Sequence, residues 1–209
     1  MLLDADDAQL VLMDYQTRLM PALFESAATL ANAQRLAQAA TLLRIPVWGT
    51  EQSPAKLGPM LPELRTHCAR VLAKEHFNAV ADGLMDWLQP PERAPRQGNP
   101  MAGNARSLPK HLQKPAPAPE PTRTSLVLAG CETHVCLMQT ALALLQEEAE
   151  VWIVTDACTS RSERNRDAAF DRLAGEGATL VTTEMVLFEW LGSAEHPQFK
   201  PVLELIRPQ

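Results

Sequence analysis

The chain has 209 residues, of which 46% are hydrophobic, and a formal net charge of −6. This length and composition fit one folded domain over residues 1–209 with a full hydrophobic core. The acidic balance argues against nucleic-acid binding, which relies on clustered Lys and Arg, and the absence of 18 consecutive apolar residues argues against a membrane span. The aspartate-rich N-terminus lacks the basic start of a signal peptide, and four cysteines are too few for a disulfide framework. We therefore expect a cytoplasmic protein with reduced thiols.

Short apolar runs alternate with amphipathic stretches along the chain. The predicted strands cover residues 9–13, 45–50, 69–73, 125–129, 151–155 and 178–181. The predicted helices cover residues 23–40, 80–88, about 133–147 and 164–174, and two short helices end the chain. Gly175 is a candidate C′ residue for the helix at 164–174. Alternation of strands and helices predicts a three-layer α/β domain with a six-stranded, mainly parallel, Rossmann-like sheet.

The segment from Pro90 to about Pro121 interrupts this alternation. It contains nine of the 17 prolines and a local excess of basic residues. Its composition predicts a surface excursion with extended, polyproline-like stretches. A plain insertion or linker is the favoured interpretation, and a lid or a partner-docking loop is the alternative.

A cysteine-containing turn follows the fourth predicted strand, in the sequence GCETHVC of residues 130–136. Thr133 is a suitable N-cap, which would put Cys136 at the third position of the following helix. Backbone N–H groups and the helix dipole favour a negative charge there, so we expect a lowered thiol pKa and a nucleophilic thiolate. A buried cysteine that only packs is the alternative explanation.

Two charged residues follow other buried strands. Asp14 ends the first strand and Lys74 follows the third. Because strands of a parallel sheet end on one edge, where ligands bind, both side chains could lie beside Cys136 and neutralise each other. Asp14 could then accept the thiol proton while Lys74 favours the resulting negative charge. Each of the two could alternatively be an ordinary surface charge.

The ordered set LVLMDYQ, TEQ, KEHF, LAGCETHVC and VTDACTSR resembles the isochorismatase-like cysteine hydrolases. The similarity is greatest to the isochorismatase domain-containing proteins and spans the chain outside the excursion. The resemblance implies that Asp14 is the general base, Cys136 the nucleophile, and Lys74 the residue that stabilises the thiolate. It also implies a cis peptide between Cys131 and Glu132, with the N–H groups of Glu132 and Cys136 forming an oxyanion hole.

The resemblance implies hydrolysis of a small amide, amidine or ureido compound through a cysteine thioester, without a metal or organic cofactor. The histidines with which nicotinamidases hold a metal are missing after Thr50, and the cysteine argues against the enol-ether cleavage of true isochorismatases. Candidate pocket-lining residues are Gln16, Glu51, Gln52 and Phe77. For the first three, which lie near strand ends, a position in solvent or behind the pocket wall is the alternative. The resemblance further implies a homo-oligomer, a dimer or tetramer, with a small-molecule substrate and no membrane or nucleic-acid partner.

Two other functions stay open. One is a binding or scaffold protein that retains the fold without significant turnover. The other is enol-ether hydrolysis with Asp14 as the acid.

Overall fold

The computed structural model describes residues 2–89 and 123–207, so the excursion predicted at 90–121 lies outside the described residues. Six strands form one all-parallel sheet in the order β3-β2-β1-β4-β5-β6. The strands are β1 Ala8–Met13, β2 Val47–Gln52, β3 Arg70–Lys74, β4 Ser125–Gly130, β5 Glu150–Val154 and β6 Thr179–Val181. The predicted six-stranded α/β fold is confirmed.

Eight α-helices accompany the sheet in the described residues. They are α1 Ser26–Leu42, α2 Pro54–Leu57, α3 Pro62–Arg65, α4 Met85–Leu88, α5 Met138–Gln146, α6 Glu163–Gly175, α7 Thr183–Leu191 and α8 Phe199–Ile206. The described residues also contain three 3₁₀ turns, at Met20–Ala22, Ala79–Asp82 and Thr155–Ala157, and a π-helical turn at Thr133–Leu137.

The core has two halves, one on each face of the sheet. Leu10 and Leu12 of β1 pack with apolar residues of α1, α7 and α8. Val11 and Met13 of the same strand pack on the other face, with apolar residues of α4, α5 and α6. Strands β1 and β4 are buried along their whole length, as expected for central strands covered on both sides.

Three local predictions are wrong. The predicted helix at 80–88 is a 3₁₀ turn and the short α4, separated by Gly83 with a φ of 93°. Gly175 is the last residue of α6, and the left-handed residue beyond that helix is Gly177, with a φ of 101°. The predicted helix at 133–147 begins as a π-helical turn preceded by Glu132, so Thr133 is not its N-cap.

Within the described residues, no helix has both the length and the apolar character needed to cross a membrane.

Candidate active site

Three side chains meet where strands β1, β3 and β4 end. Asp14 follows β1, Lys74 is the last residue of β3, and Cys136 lies in the π-helical turn after β4. None of the three residues is more than 4% exposed. The strand order reverses between β1 and β4, which is where open α/β sheets bind ligands. The structure therefore brings the three predicted residues together at the predicted edge of the sheet.

Glycine at position 130 permits the close approach of β1 and β4 at this point. A Cβ atom on Gly130 would lie 2.6 Å from Met13 Cβ and 2.8 Å from the Met13 carbonyl oxygen. Those separations are shorter than van der Waals contact. A larger residue at 130 would force the two strands apart beside Asp14.

Asp14 and Lys74 form a buried ion pair. Lys74 Nζ lies 2.9 Å from Asp14 Oδ2, and both side chains are fully buried. The hydroxyl of Thr50 donates a hydrogen bond of 2.7 Å to the other carboxylate oxygen, Oδ1. Oδ2 has no aligned hydrogen bond from any described residue, so the oxygen closest to the amine keeps free accepting capacity.

The Lys74 amine faces three oxygens, which matches the three donors of an ammonium group. Besides its ion pair with Asp14, it donates hydrogen bonds to Gln52 Oε1 at 2.7 Å and to the carbonyl of His76 at 3.5 Å. A buried charge is tolerated only when it is paired and hydrogen-bonded, and Lys74 meets both conditions.

Asp14 has a left-handed backbone conformation, with a φ of 58°. Non-glycine residues rarely take this conformation, and in proteins it is concentrated at functional sites. The sharp turn lets the Gln16 N–H donate to the Asp14 carbonyl at 2.8 Å. The turn starts directly after β1 and leaves the carboxylate beside β2 and β3.

The Cys136 thiol contacts the same group of residues. Its sulfur donates to Gln52 Oε1 at 3.8 Å. Burial and the Asp14 carboxylate raise the pKa of the thiol from 9.0 to about 12, and the Lys74 ammonium opposes that shift. Burial and the neighbouring carboxylate thus favour the protonated thiol, and the lowered pKa expected from the sequence is wrong. The reason is that the sulfur is buried beside a carboxylate and lies in a π-helical turn, not at the start of a regular helix.

The turn before Cys136 also differs from its predicted geometry. The described chain contains no cis peptide bond, so the expected cis bond between Cys131 and Glu132 is trans. The chain turns instead through Glu132, whose φ is 52°. The next residue, Thr133, anchors the turn, because its N–H and its hydroxyl donate to the Thr159 carbonyl at 3.0 and 2.9 Å.

The two predicted oxyanion-hole donors lie in this turn. In residues 2–89 and 123–207, the N–H groups of Glu132 and Cys136 donate to no acceptor outside the turn. π-helical turns leave the usual helical hydrogen-bonding pattern incomplete and are frequent at functional sites.

A second polar cluster, not predicted from the sequence, surrounds the Glu132 side chain. Glu132 Oε1 lies 3.2 Å from Arg161 Nε, and Oε2 lies 3.7 Å from His134 Nε2. The other ring nitrogen of His134 is 3.0 Å from the Ser160 hydroxyl. The sequence signal for this cluster is the TSR run of residues 159–161, which follows β5 and therefore ends on the same edge of the sheet.

The four candidate pocket-lining residues have different surroundings. We call Asp14, Lys74 and Cys136 together the triad. Gln52 contacts Lys74 and Cys136 of the triad. Gln16 binds the Gln52 backbone through both ends of its amide, at 2.8 and 3.0 Å. Glu51 accepts from the Met60 N–H at 2.8 Å and makes none of the contacts that Gln52 makes with the triad. Phe77, three residues beyond Lys74, is 51% exposed.

No three His, Cys, Asp or Glu side chains in the described ranges are arranged to hold a metal ion. Two surface depressions, one between α5 and α6 and one beside the N-terminal residues 2–6, contain no residue of the triad.

Comparisons with known proteins agree with this fold. The family model for the isochorismatase domain matches residues 107–185. Isochorismatase domain-containing protein 2 of Xenopus laevis is 34% identical over 197 residues, which cover 94% of this chain and 82% of that protein. The chain therefore belongs to the isochorismatase domain family, and membership in this family indicates a hydrolase.

Two solved structures with a similar fold come from Caenorhabditis elegans and Escherichia coli. The MAR1 ribonuclease of Caenorhabditis elegans has a TM-score of 0.80 and 27% identity, covering 99% of this chain and 92% of that one. The YcaC protein of Escherichia coli, described as an octameric hydrolase of unknown specificity, has a TM-score of 0.71. It is 22% identical, over 97% of this chain and 95% of that one, and supports the fold alone.

Proposed function

We propose that the protein is a cysteine hydrolase that cleaves a small amide, amidine or ureido compound through a thioester on Cys136. The observation that carries this proposal is the meeting of a thiol, a carboxylate and an ammonium in one buried cluster. A lone buried thiol would be inert, but a thiol beside a base has a route to the nucleophilic thiolate.

Asp14 is the proposed general base. Its Oδ2 has free accepting capacity and raises the pKa of the adjacent thiol. A thiol with a pKa of about 12 is not ionised in advance at neutral pH. The proton therefore moves to Asp14 as the sulfur attacks the substrate carbonyl carbon. Lys74 stabilises the negative charge that the sulfur carries as its proton leaves, and this charge passes to the carbonyl oxygen when the S–C bond forms.

The N–H groups of Glu132 and Cys136 are the proposed donors to the oxyanion of the tetrahedral intermediate. Each such donor can contribute about 3 kcal/mol to the transition state. The intermediate collapses when the C–N bond breaks, and the leaving amine takes the proton from Asp14. Asp14, again a carboxylate, accepts a proton from water as that water attacks the thioester. The C–S bond then breaks, the sulfur takes the proton from Asp14, and the acid product departs.

A screen of primary amides and N-carbamoyl compounds tests the proposal, with the wild type and Cys136→Ala assayed in parallel. Cys158→Ala is the matched control, since Cys158 is equally buried and the charged groups that act on its thiol are Asp156 and Arg166, not Asp14 or Lys74. We expect Cys136→Ala to lose at least about 1,000-fold in kcat/KM and Cys158→Ala to stay within a few fold. Amide turnover that survives in Cys136→Ala would refute the thioester.

The same screen separates the alternatives when an enol ether is added to it. Enol-ether hydrolysis with Asp14 as acid would persist in Cys136→Ala, and a scaffold protein would turn over nothing in either form. An RNA oligonucleotide belongs in the screen because one structural neighbour is a ribonuclease. We expect this chain not to cleave RNA, because its net charge of −6 disfavours binding to phosphates.

A cytoplasmic location and a homo-oligomer, dimer or tetramer, accompany this proposal. The exposed aromatic residues Phe77 and Phe188 supply apolar surface for such an assembly.

A further inference from the structure

The side-chain amide of Gln52 lies between the two groups on which the proposed chemistry depends. Its oxygen accepts from the Lys74 ammonium at 2.7 Å and from the Cys136 thiol at 3.8 Å. The distance to Lys74 is shorter than the 2.9 Å that separates Lys74 from Asp14. Gln52 is only 7% exposed, so water does not readily replace these contacts.

The orientation of this amide is fixed by its other end. Gln52 Nε2 donates to the Glu75 carbonyl at 2.8 Å and has a weaker contact of 3.4 Å with the Ser53 hydroxyl. A flipped amide would put two N–H donors against the ammonium and leave the Glu75 carbonyl unpaired. The oxygen must therefore face the triad.

The backbone of Gln52 is held as firmly as its side chain. Gln16 accepts from the Gln52 N–H at 2.8 Å and donates to the Gln52 carbonyl at 3.0 Å. The same Gln16 amide donates to the Gly58 carbonyl at 2.6 Å. Gln16 follows Asp14 by two residues, so this pairing ties the turn after β1 to the end of β2.

We propose that Gln52 is a positioning residue whose one carbonyl oxygen holds the Lys74 ammonium and the resting Cys136 thiol in a common geometry. This inference rests on the proposed cysteine hydrolase. An amide oxygen accepts hydrogen bonds but is too weak a base to remove the thiol proton. Gln52 therefore orients the two groups and leaves the proton transfer to Asp14.

Two substitutions of nearly the same length separate this role from a purely structural one. Gln52→Met removes the acceptor that favours the protonated thiol, so the thiol pKa should fall, by about half a unit. Gln52→Glu adds a negative charge at the same place, so the thiol pKa should rise, by about one unit or more. Both variants lose the hydrogen bond that the Gln52 amide donates to the Glu75 carbonyl. Any loosening of the site that follows from this loss should therefore be similar in the two variants.

The experiment measures alkylation of Cys136 by iodoacetamide at pH 8, with the modified residue identified by mass spectrometry. Below the thiol pKa, the thiolate fraction changes tenfold for each pKa unit. We expect Gln52→Met to react about threefold faster than the wild type and Gln52→Glu about tenfold slower. Gln38→Glu makes the same change at an exposed glutamine of α1 that has no hydrogen bond to Lys74 or Cys136, so this control should react like the wild type.

Rates that change in the same direction in both Gln52 variants, or by less than about twofold, would overturn the proposal. With an amide substrate found in the screen, Gln52→Met should lower kcat at least about tenfold with little change in KM. The Cys136 thiol of the same variant should nevertheless be alkylated faster than that of the wild type. A merely unfolded or loosened variant would not combine these two effects. Because alkylation needs no substrate, a wild type that turns over no amide would defeat the hydrolase while the labelling rates still decide the role of Gln52.

Discussion

Replacing Lys74 with Met tests whether the Asp14–Lys74 pair is the electrostatic centre of the site. Methionine keeps most of the length of the lysine stem but removes the charge. Asp14 would then be a fully buried carboxylate without its cation, held by the hydrogen bond from the Thr50 hydroxyl. Removal of one member of a buried ion pair costs about 3–5 kcal/mol, because the other charge is left uncompensated.

We expect the free energy of unfolding of Lys74→Met, measured by urea denaturation at pH 7, to fall by that amount. The double variant Asp14→Asn/Lys74→Met should recover about 2 kcal/mol or more. It removes the buried charge and keeps an oxygen for Thr50, and asparagine tolerates the left-handed backbone at this position. Lys56→Met, at an exposed lysine, should change the free energy by less than about 0.5 kcal/mol.

Two results would refute this reasoning. One is a Lys74→Met variant within about 1 kcal/mol of the wild type. The other is a double variant no more stable than Lys74→Met, which would mean that lost packing, not an unpaired charge, caused the destabilisation. An unchanged dependence of the unfolding free energy on urea concentration is required for either comparison.

Three further predictions concern the surroundings of the pair. Thr50→Val should lower the free energy of unfolding by about 1–3 kcal/mol, since Asp14 Oδ1 loses its donor, and a change below about 0.5 kcal/mol in urea denaturation would contradict this. Gly130→Ala should lower the free energy of unfolding by about 1–3 kcal/mol and slow the alkylation of Cys136, because the new Cβ collides with Met13. Gly175→Ala is the control and should be neutral or stabilising, because a Cβ at that position has no atom within 4 Å. The pKa of the Cys136 thiol is raised in the folded state, so its contribution to stability is complete below pH 9 and is lost as the pH rises towards 12. Cys136→Ala should therefore lose stability less steeply than the wild type between pH 9 and 10.5, by at most about 1.4 kcal/mol per pH unit, and parallel curves would contradict the raised pKa.

The fold could be predicted because it depends on patterns that are local in sequence. The buried strands β1 and β4 are apolar on both faces and read as short continuous apolar runs. Placement of Asp14 and Lys74 at one edge followed from the rule that parallel strands end together. The strand boundaries were predicted less exactly, since β2 runs to Gln52, two residues beyond its predicted end. In these last residues of β2, Gln52 pairs with Lys74 of β3, which puts the Gln52 side chain beside the triad.

The turn after β4 could not be predicted in detail. Its geometry depends on a contact distant in sequence, the anchoring of Thr133 on the Thr159 carbonyl, and on the left-handed conformation of Glu132. The expected cis peptide and N-cap were both wrong for this reason. The charge state of Cys136 was also mispredicted, because a thiol pKa reflects burial and neighbouring charges, and neither is visible in a local motif.

The amino-acid sequence by itself determined the class of fold, the family resemblance and the identity of three side chains able to do chemistry. Only the tertiary structure decided that Lys74 is held by Asp14 and Gln52 together. It also decided that burial raises the pKa of the Cys136 thiol and that Thr50 supports the carboxylate. The physical reason is that backbone pattern acts over neighbouring residues, whereas the energy of a buried charge depends on whichever groups the folded chain places within a few ångströms of it.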